Sequence, residues 1–220
     1  MTDFTSTQID AGQAIYTPLT LKLYDLVVLG ISNRFIWRCP TRSLLGHYNA
    51  HISGKHLDIG VGTGYFLDRC RFSLAQPAIT LMDLNEHALQ HAAQRIARYR
   101  PATVVQNVLL PFARTDEKYD SVGMNYLLHC VPGSIAQKAV AFDHVKAVMN
   151  PGATIFGATL LQGGVPRNLA ARKLMAAYNR KGVFCNEQDD LAGLVAALNA
   201  RFSDVTVSVQ GCAAVFAGKA

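Results

Sequence analysis

From His56 onward, short apolar runs rich in β-formers alternate with longer stretches in which apolar positions recur every three or four residues. That alternation predicts βαβ units, and so a mostly parallel sheet covered by helices. A first strand falls at about His56–Ile59, with a helix from about Tyr65; a second at Ala78–Met82 leads into a helix from Glu86 to about Tyr99. Asn85 stands where a capping side chain is expected, and Pro101 stops further propagation. A third strand covers about Thr103–Gln106 and a fourth Tyr119–Tyr126.

Ser134-Ile135-Ala136-Gln137 has the form of a capping box, opening a helix to about Met149 that Asn150-Pro151-Gly152 ends. Ala153–Leu161 reads as the fifth strand, and the helical pattern Asn168–Arg180 closes at Lys181-Gly182. Asn186, followed by Asp189, is placed to cap the next helix. Ser203–Val209 and Ala213–Ala217, separated by Gln210-Gly211, predict an antiparallel closing pair. The expected fold is α/β: a doubly wound, mostly parallel seven-stranded sheet with an antiparallel C-terminal hairpin strand, over residues 56–220. Residues 1–55, with helical patterns at Tyr16–Leu29 and about Asn33–His51, are expected to form a helical cap over the sheet's C-terminal edge.

Composition narrows the class. Half of the 220 residues are hydrophobic and 16% are charged, which fits an ordered domain and excludes a solvated, disordered chain. The net charge of +6 raises nucleic acid as a partner, but the basic residues are scattered, which counts against it. Five widely spaced cysteines with no C-x-x-C suggest neither a disulfide framework nor a zinc ribbon, and read as reduced thiols. The polar N-terminus carries no secretory pattern, so the expectation is cytoplasmic. The charge-free stretch Ala147–Pro166 is broken by prolines and glycines and reads as a turn and a buried strand, not a membrane span. His87 and His91 lie four apart on a helix without a third ligand, so no metal is expected.

The candidate chemistry lies in Leu57-Asp58-Ile59-Gly60-Val61-Gly62-Thr63-Gly64. A strand, three glycines and a helix N-terminus let a ligand approach backbone amides closely. A dinucleotide fingerprint would need a small residue where Tyr65 stands. Asp83, ending the second strand, can accept from both hydroxyls of a ribose, or serve as a helix N-terminal acid beside Asn85.

The glycine loop, with Asp58 two residues ahead of it, resembles the first motif of class I S-adenosylmethionine-dependent methyltransferases. The resemblance runs from about Leu57 to the C-terminus, through Asn125-Tyr126-Leu127-Leu128-His129-Cys130-Val131-Pro132 after the fourth strand and Met149-Asn150-Pro151-Gly152 before the fifth. It implies S-adenosyl-L-methionine as cofactor, S-adenosyl-L-homocysteine as product, and a donor site of Asp58, Gly60, Gly62, Gly64, Asp83, Leu84, Asn107, Val108 and Asn125. Asn107 departs from the family's usual acid; its amide oxygen would accept from the adenine amino group and the Val108 amide would donate to a ring nitrogen, or Asn107 serves only a turn.

Tyr24-Asp25, Ser32 and Trp37-Arg38 are similar to the N-terminal segment of quinone-biosynthesis C-methyltransferases, which implies that Tyr16 and Tyr24 lie near the sulfonium. Packing of the cap is the competing account of these aromatics. His129, after the fourth strand, is the candidate base if the acceptor loses a proton, against a plain packing role. The expected activity is methyl transfer to a small-molecule acceptor, in secondary-metabolite or quinone-like biosynthesis, with a homodimer compatible. A non-catalytic cofactor-binding module and an RNA methyltransferase are the alternatives. No N-P-P-Y-like tetrapeptide follows the fourth strand, which counts against base-amine methylation.

Overall fold

A computed structural model describes residues 25–113 and 115–220. Tyr16 and Tyr24 lie outside the described residues. A π-helical segment, Asp25–Ile36, leads to helix α1 (Thr41–His51). The strands are β1 (Lys55–Ile59), β2 (Ala78–Asp83), β3 (Ala102–Val105), β4 (Tyr119–Asn125), β5 (Met149–Leu160), β6 (Ser203–Gln210) and β7 (Ala213–Lys219). Between them run α2 (Tyr65–Arg69), α3 (Glu86–Arg95), α4 (Ile135–Lys138), α5 (Val140–Ala147), α6 (Leu169–Arg180) and α7 (Leu191–Asn199). The seven strands lie in the order β3-β2-β1-β4-β5-β7-β6, with β1–β5 parallel and β7 antiparallel to both its neighbours. The winding reverses between β1 and β4, which opens a crevice at the carboxyl ends of those strands, where open α/β sheets bind ligands.

Both faces of the sheet are covered, which is why its inner strands read as near-continuous apolar runs. Leu57, Ile59, Val122, Met124, Ile155 and Phe216 pack against Phe142 and Val145 of α5 and Leu194 and Leu198 of α7. On the other face Tyr48 of α1 joins Leu67, Ile79, Leu81, Ala92 and Phe156.

Several boundaries differ from expectation for local reasons. The pattern read as one helix from Asn33 to His51 is broken at Arg38 (φ +54°) and Cys39, because Pro40 drives the preceding residue out of helical geometry; α1 begins only after it. Trp37, Cys39 and Leu44 then pack with Ala158, Leu160 and Met175, so residues 37–51 share the core of the sheet they were expected to cap. Asn150-Pro151-Gly152 does not end a helix; α5 stops at Ala147 and the three residues form a bulge in β5, where pairing jumps from Tyr119↔Met149 to Ser121↔Thr154.

Asn186 and Asp189 do not cap α7. Both are fully buried, and Asp190 caps instead, its carboxylate accepting from Gly193 N–H at 2.6 Å. Asp190→Ala should cost about 1 kcal/mol in urea unfolding, a loss expected of a missing helix cap. Asn85 caps as expected, accepting from His87 and Ala88, and Asn168 caps α6, accepting from Ala171.

Candidate active site

Three glycines follow β1 with positive φ: Gly60 (+75°), Gly62 (+51°) and Gly64 (+72°). Each side chain is absent for its own reason. A Cβ on Gly60 would meet Leu127 Cδ1 at 2.9 Å, and one on Gly64 would meet the Ala92 backbone at 3.0 Å, whereas a Cβ on Gly62 would meet nothing within 4 Å. Gly62 therefore faces open space, with backbone exposed to whatever occupies the cleft. Gly60 N–H donates to Met82 O at 2.9 Å, tying the loop to the end of β2. Arg95 of α3 braces it from behind, donating to Thr63 O and Thr63 Oγ1 at 3.3 Å and to Asp68 at 3.3 Å.

The cleft above the loop is lined by Asp58, Gly60, Gly62, Gly64, Asn125 and Tyr126, with Leu29 of the π-helical segment and Tyr48 of α1 also on its wall. About 470 Å³ of atom-free space lies within it, counting its open mouth. Asp58, Gly60, Gly62, Gly64 and Asn125 are thus brought together as the sequence suggested. Leu29 supports contact between the N-terminal segment and this cleft.

Asp83 lies beside the loop at the end of β2. Its carboxylate accepts from Asn85 N–H at 2.9 Å, and the backbone amides of Val61 and Leu84 also favour its anion. Burial nevertheless pushes its pKa up to about 6, outweighing the three amide donors that favour the anion. Asn107, beyond β3, uses its amide oxygen to accept from Leu109 N–H at 2.9 Å, an Asx turn that presents the Asn107–Val108 backbone. The Val108 carbonyl accepts from His144 Nδ1 at 3.0 Å. Asp83, Leu84, Asn107 and Val108 are not among the cleft-lining residues.

His129 follows β4 in a short 3-10 turn and is buried. Its Nδ1 accepts from Leu160 N–H at 3.3 Å, and its ring meets Phe184 edge-to-face at 4.6 Å. Burial lowers its pKa to about 3, which leaves the ring neutral and a weak proton acceptor. Trp37 packs against Phe184 at 6.1 Å, and Tyr126 is held at φ +57° with its ring 5.6 Å from His129. All five cysteines are unpaired, and burial pushes Cys39 up to about 11 and Cys70 and Cys130 up to about 12, so these thiols are unreactive. No group of three metal-ligating side chains occurs among the described residues.

Two contributors carry no local sequence signal. Tyr48 lies on α1, outside any motif, and Arg95 braces the loop from a helix whose exposed face looked ordinary. Only the tertiary fold brings either one to the loop.

A sheet in this order with a glycine loop after β1 and an acid ending β2 defines the class I S-adenosylmethionine-dependent methyltransferases. The family model described as a methyltransferase domain matches residues 57–155. The chain belongs to this family: it is 43% identical over 209 residues to demethylluteothin O-methyltransferase of Streptomyces thioluteus, covering 95% of this chain and 91% of that one. It is 41% identical over 213 residues to the physcion biosynthesis cluster O-methyltransferase of Aspergillus chevalieri, covering 96% and 95%. The solved DhpI–S-adenosylhomocysteine complex shares the fold, with a TM-score of 0.68 at 17% identity and 98% of each chain covered. The protein is an enzyme that transfers a methyl group from S-adenosylmethionine to a small-molecule acceptor.

The cleft fits that cofactor. The Asn125 amide nitrogen is buried without a partner among the described residues, a donor awaiting an acceptor, and Gly62 leaves open space against its backbone. Asp83, at the end of β2 outside the cleft lining, carries an acceptor-only carboxylate when ionised. Lowering pH through about 6 protonates Asp83 and removes an anionic acceptor, so affinity for S-adenosylhomocysteine should be flat above neutrality and fall below pH 6. Titration calorimetry from pH 5 to 8 checks this, and the dependence should vanish in Asp83→Asn.

Proposed function

We propose that the enzyme methylates a hydroxyl oxygen of a small aromatic or enolic secondary metabolite. The observation that carries an oxygen acceptor is the likeness to two proteins named as O-methyltransferases, which extends over 95% and 96% of this chain.

In this reading Asp83 holds the ribose, the turn at Leu84 and the Asn107–Val108 backbone flank the adenine, and Asp58 faces the ammonium of the cofactor's amino-acid end. Gly60, Gly62, Gly64 and Asn125 line the same ligand, and Tyr16 and Tyr24 belong to the segment that closes over it. S-adenosylmethionine, when bound, supplies a methyl already activated by its sulfonium charge. The chain's own work is then alignment and exclusion of water. His129 supports the wall through Leu160 and Phe184 rather than serving as the base, because a group with a pKa of about 3 holds a proton poorly near neutrality. The proposed setting is cytoplasmic, with a diffusible acceptor, no nucleic acid, and a homodimer as the assembly to test; among the described residues no helix is long and apolar enough to cross a membrane.

The test is a panel of matched phenols, anilines and thiophenols with S-adenosylhomocysteine release as readout. Turnover should favour the hydroxyl members, and exclusive methylation of amines, thiols or carbon would overturn the oxygen acceptor. At saturating donor, the pH–rate profile should follow the acceptor's own ionisation and lack an inflection from histidine.

A further inference from the structure

The carboxylate that opens the glycine loop is held by a buried cluster outside the loop. Tyr48 Oη donates to Asp58 Oδ1 at 2.8 Å. His56 Nε2 approaches the same oxygen at 3.5 Å, while its Nδ1 lies 2.8 Å from Ser121 Oγ. With the proton on Nε2, His56 donates to Asp58 and accepts from the Ser121 hydroxyl; Ser121 in turn accepts from Ser53 N–H at 2.9 Å. Two donors thus converge on one oxygen of Asp58, and among the described residues the other takes no part in the cluster. Tyr48 and Asp58 also both line the donor cleft.

The register of the sheet reserves the space. Asp58 pairs with Gly123 of β4, and a Cβ there would stand 2.6 Å from Asp58 Oδ1 and 3.2 Å from His56 Cε1. Any larger residue at position 123 would displace the carboxylate. Tyr48 is fixed in turn: its ring stacks on Phe66 at 5.0 Å and meets Phe156 edge-to-face at 5.0 Å. Burial and the facing carboxylate push its hydroxyl well above the ordinary tyrosine range, so it remains a donor.

We infer that Tyr48 is a positioning residue for the methyl donor: it locks Asp58 in the orientation that receives the ammonium of the cofactor's amino-acid end. The inference rests on the donor site proposed above. It makes α1, ahead of the sheet, part of the machinery that distinguishes S-adenosyl ligands from simpler adenosine thioethers. Asp58 anchored through one oxygen presents the other without first losing rotational freedom, and this preorganisation favours only ligands that carry the ammonium.

The test compares S-adenosylhomocysteine with 5′-methylthioadenosine, which keeps the adenosine and thioether but lacks the amino-acid end, by calorimetry on the full chain. Tyr48→Phe keeps the ring contacts and removes only the hydroxyl. It should weaken S-adenosylhomocysteine about tenfold and leave 5′-methylthioadenosine within about twofold. In an Asp58→Asn background the same substitution should add less than about twofold, since the group it positions is already altered. Equal weakening of both ligands marks general damage to the cleft and overturns the inference, as does unchanged S-adenosylhomocysteine affinity. If the wild-type chain binds 5′-methylthioadenosine but gains nothing from the amino-acid end, both this inference and the Asp58 assignment fall.

Discussion

Replacing Asp83 with alanine should lower affinity for S-adenosylhomocysteine by about a hundredfold or more, with the fold retained. The Asn85 N–H already donates to this carboxylate at 2.9 Å, at the end of β2. A ribose diol would add two hydrogen bonds to a charged acceptor, each worth about 1.5–3 kcal/mol when the site is preformed. Their loss together corresponds to at least two decades in Kd. The variant also removes a group whose ionisation burial disfavours, so its unfolding midpoint should hold or rise at neutral pH. Calorimetry and urea unfolding on the same preparation separate the two effects; affinity within about threefold of wild type would remove Asp83 from the donor site.

The largest effect on stability is expected at Lys138. Its side chain is fully buried at the end of α4, with Nζ donating to Asp189 Oδ2 at 2.5 Å and to Cys185 O at 2.8 Å. Burial pulls both partners toward their neutral forms, lowering the lysine and raising the aspartate, while their pairing opposes it. Lys138→Ala strands Asp189 in the interior and should cost about 3–5 kcal/mol, much of a typical domain's stability. Asp189 O also accepts from Gln162 and Gly163 N–H, so the loop after β5 should loosen with it. The double variant Lys138→Met, Asp189→Leu should recover most of the loss. A cost below about 1 kcal/mol for the single variant would show that the pair contributes little.

The sheet, its helices and the cap at Asn85 could be read from the sequence because local pattern and tertiary burial agree there. The failures share a cause: tertiary partners claimed residues whose local signals pointed elsewhere. Asn186 looks like a cap, yet its amide donates to Leu160 O at 2.9 Å deep in the core, and Asp189, beside the true cap, is taken by a lysine from another helix. Asn150-Pro151-Gly152 looks like a terminator, but the β4–β5 pairing absorbs it as a bulge.

The glycine loop was legible because three positions there take positive φ, and glycine spacing records that need directly. Tyr48 was not, because it reaches Asp58 only after α1 docks on the face carrying Phe156. His129 marked the right edge of the sheet, but its surroundings, and so its basicity, depend on Phe184 and Leu160, which are distant in sequence.

The most direct test is a crystal structure of the full chain with S-adenosylhomocysteine. The expected result is the ligand along Gly60–Gly64, its ribose hydroxyls donating to Asp83, its ammonium on Asp58 and the Asn125 amide donating to it. A ligand seated away from the loop, or in the separate cleft between Pro132 and Gln188 with Asp83 untouched, would contradict it.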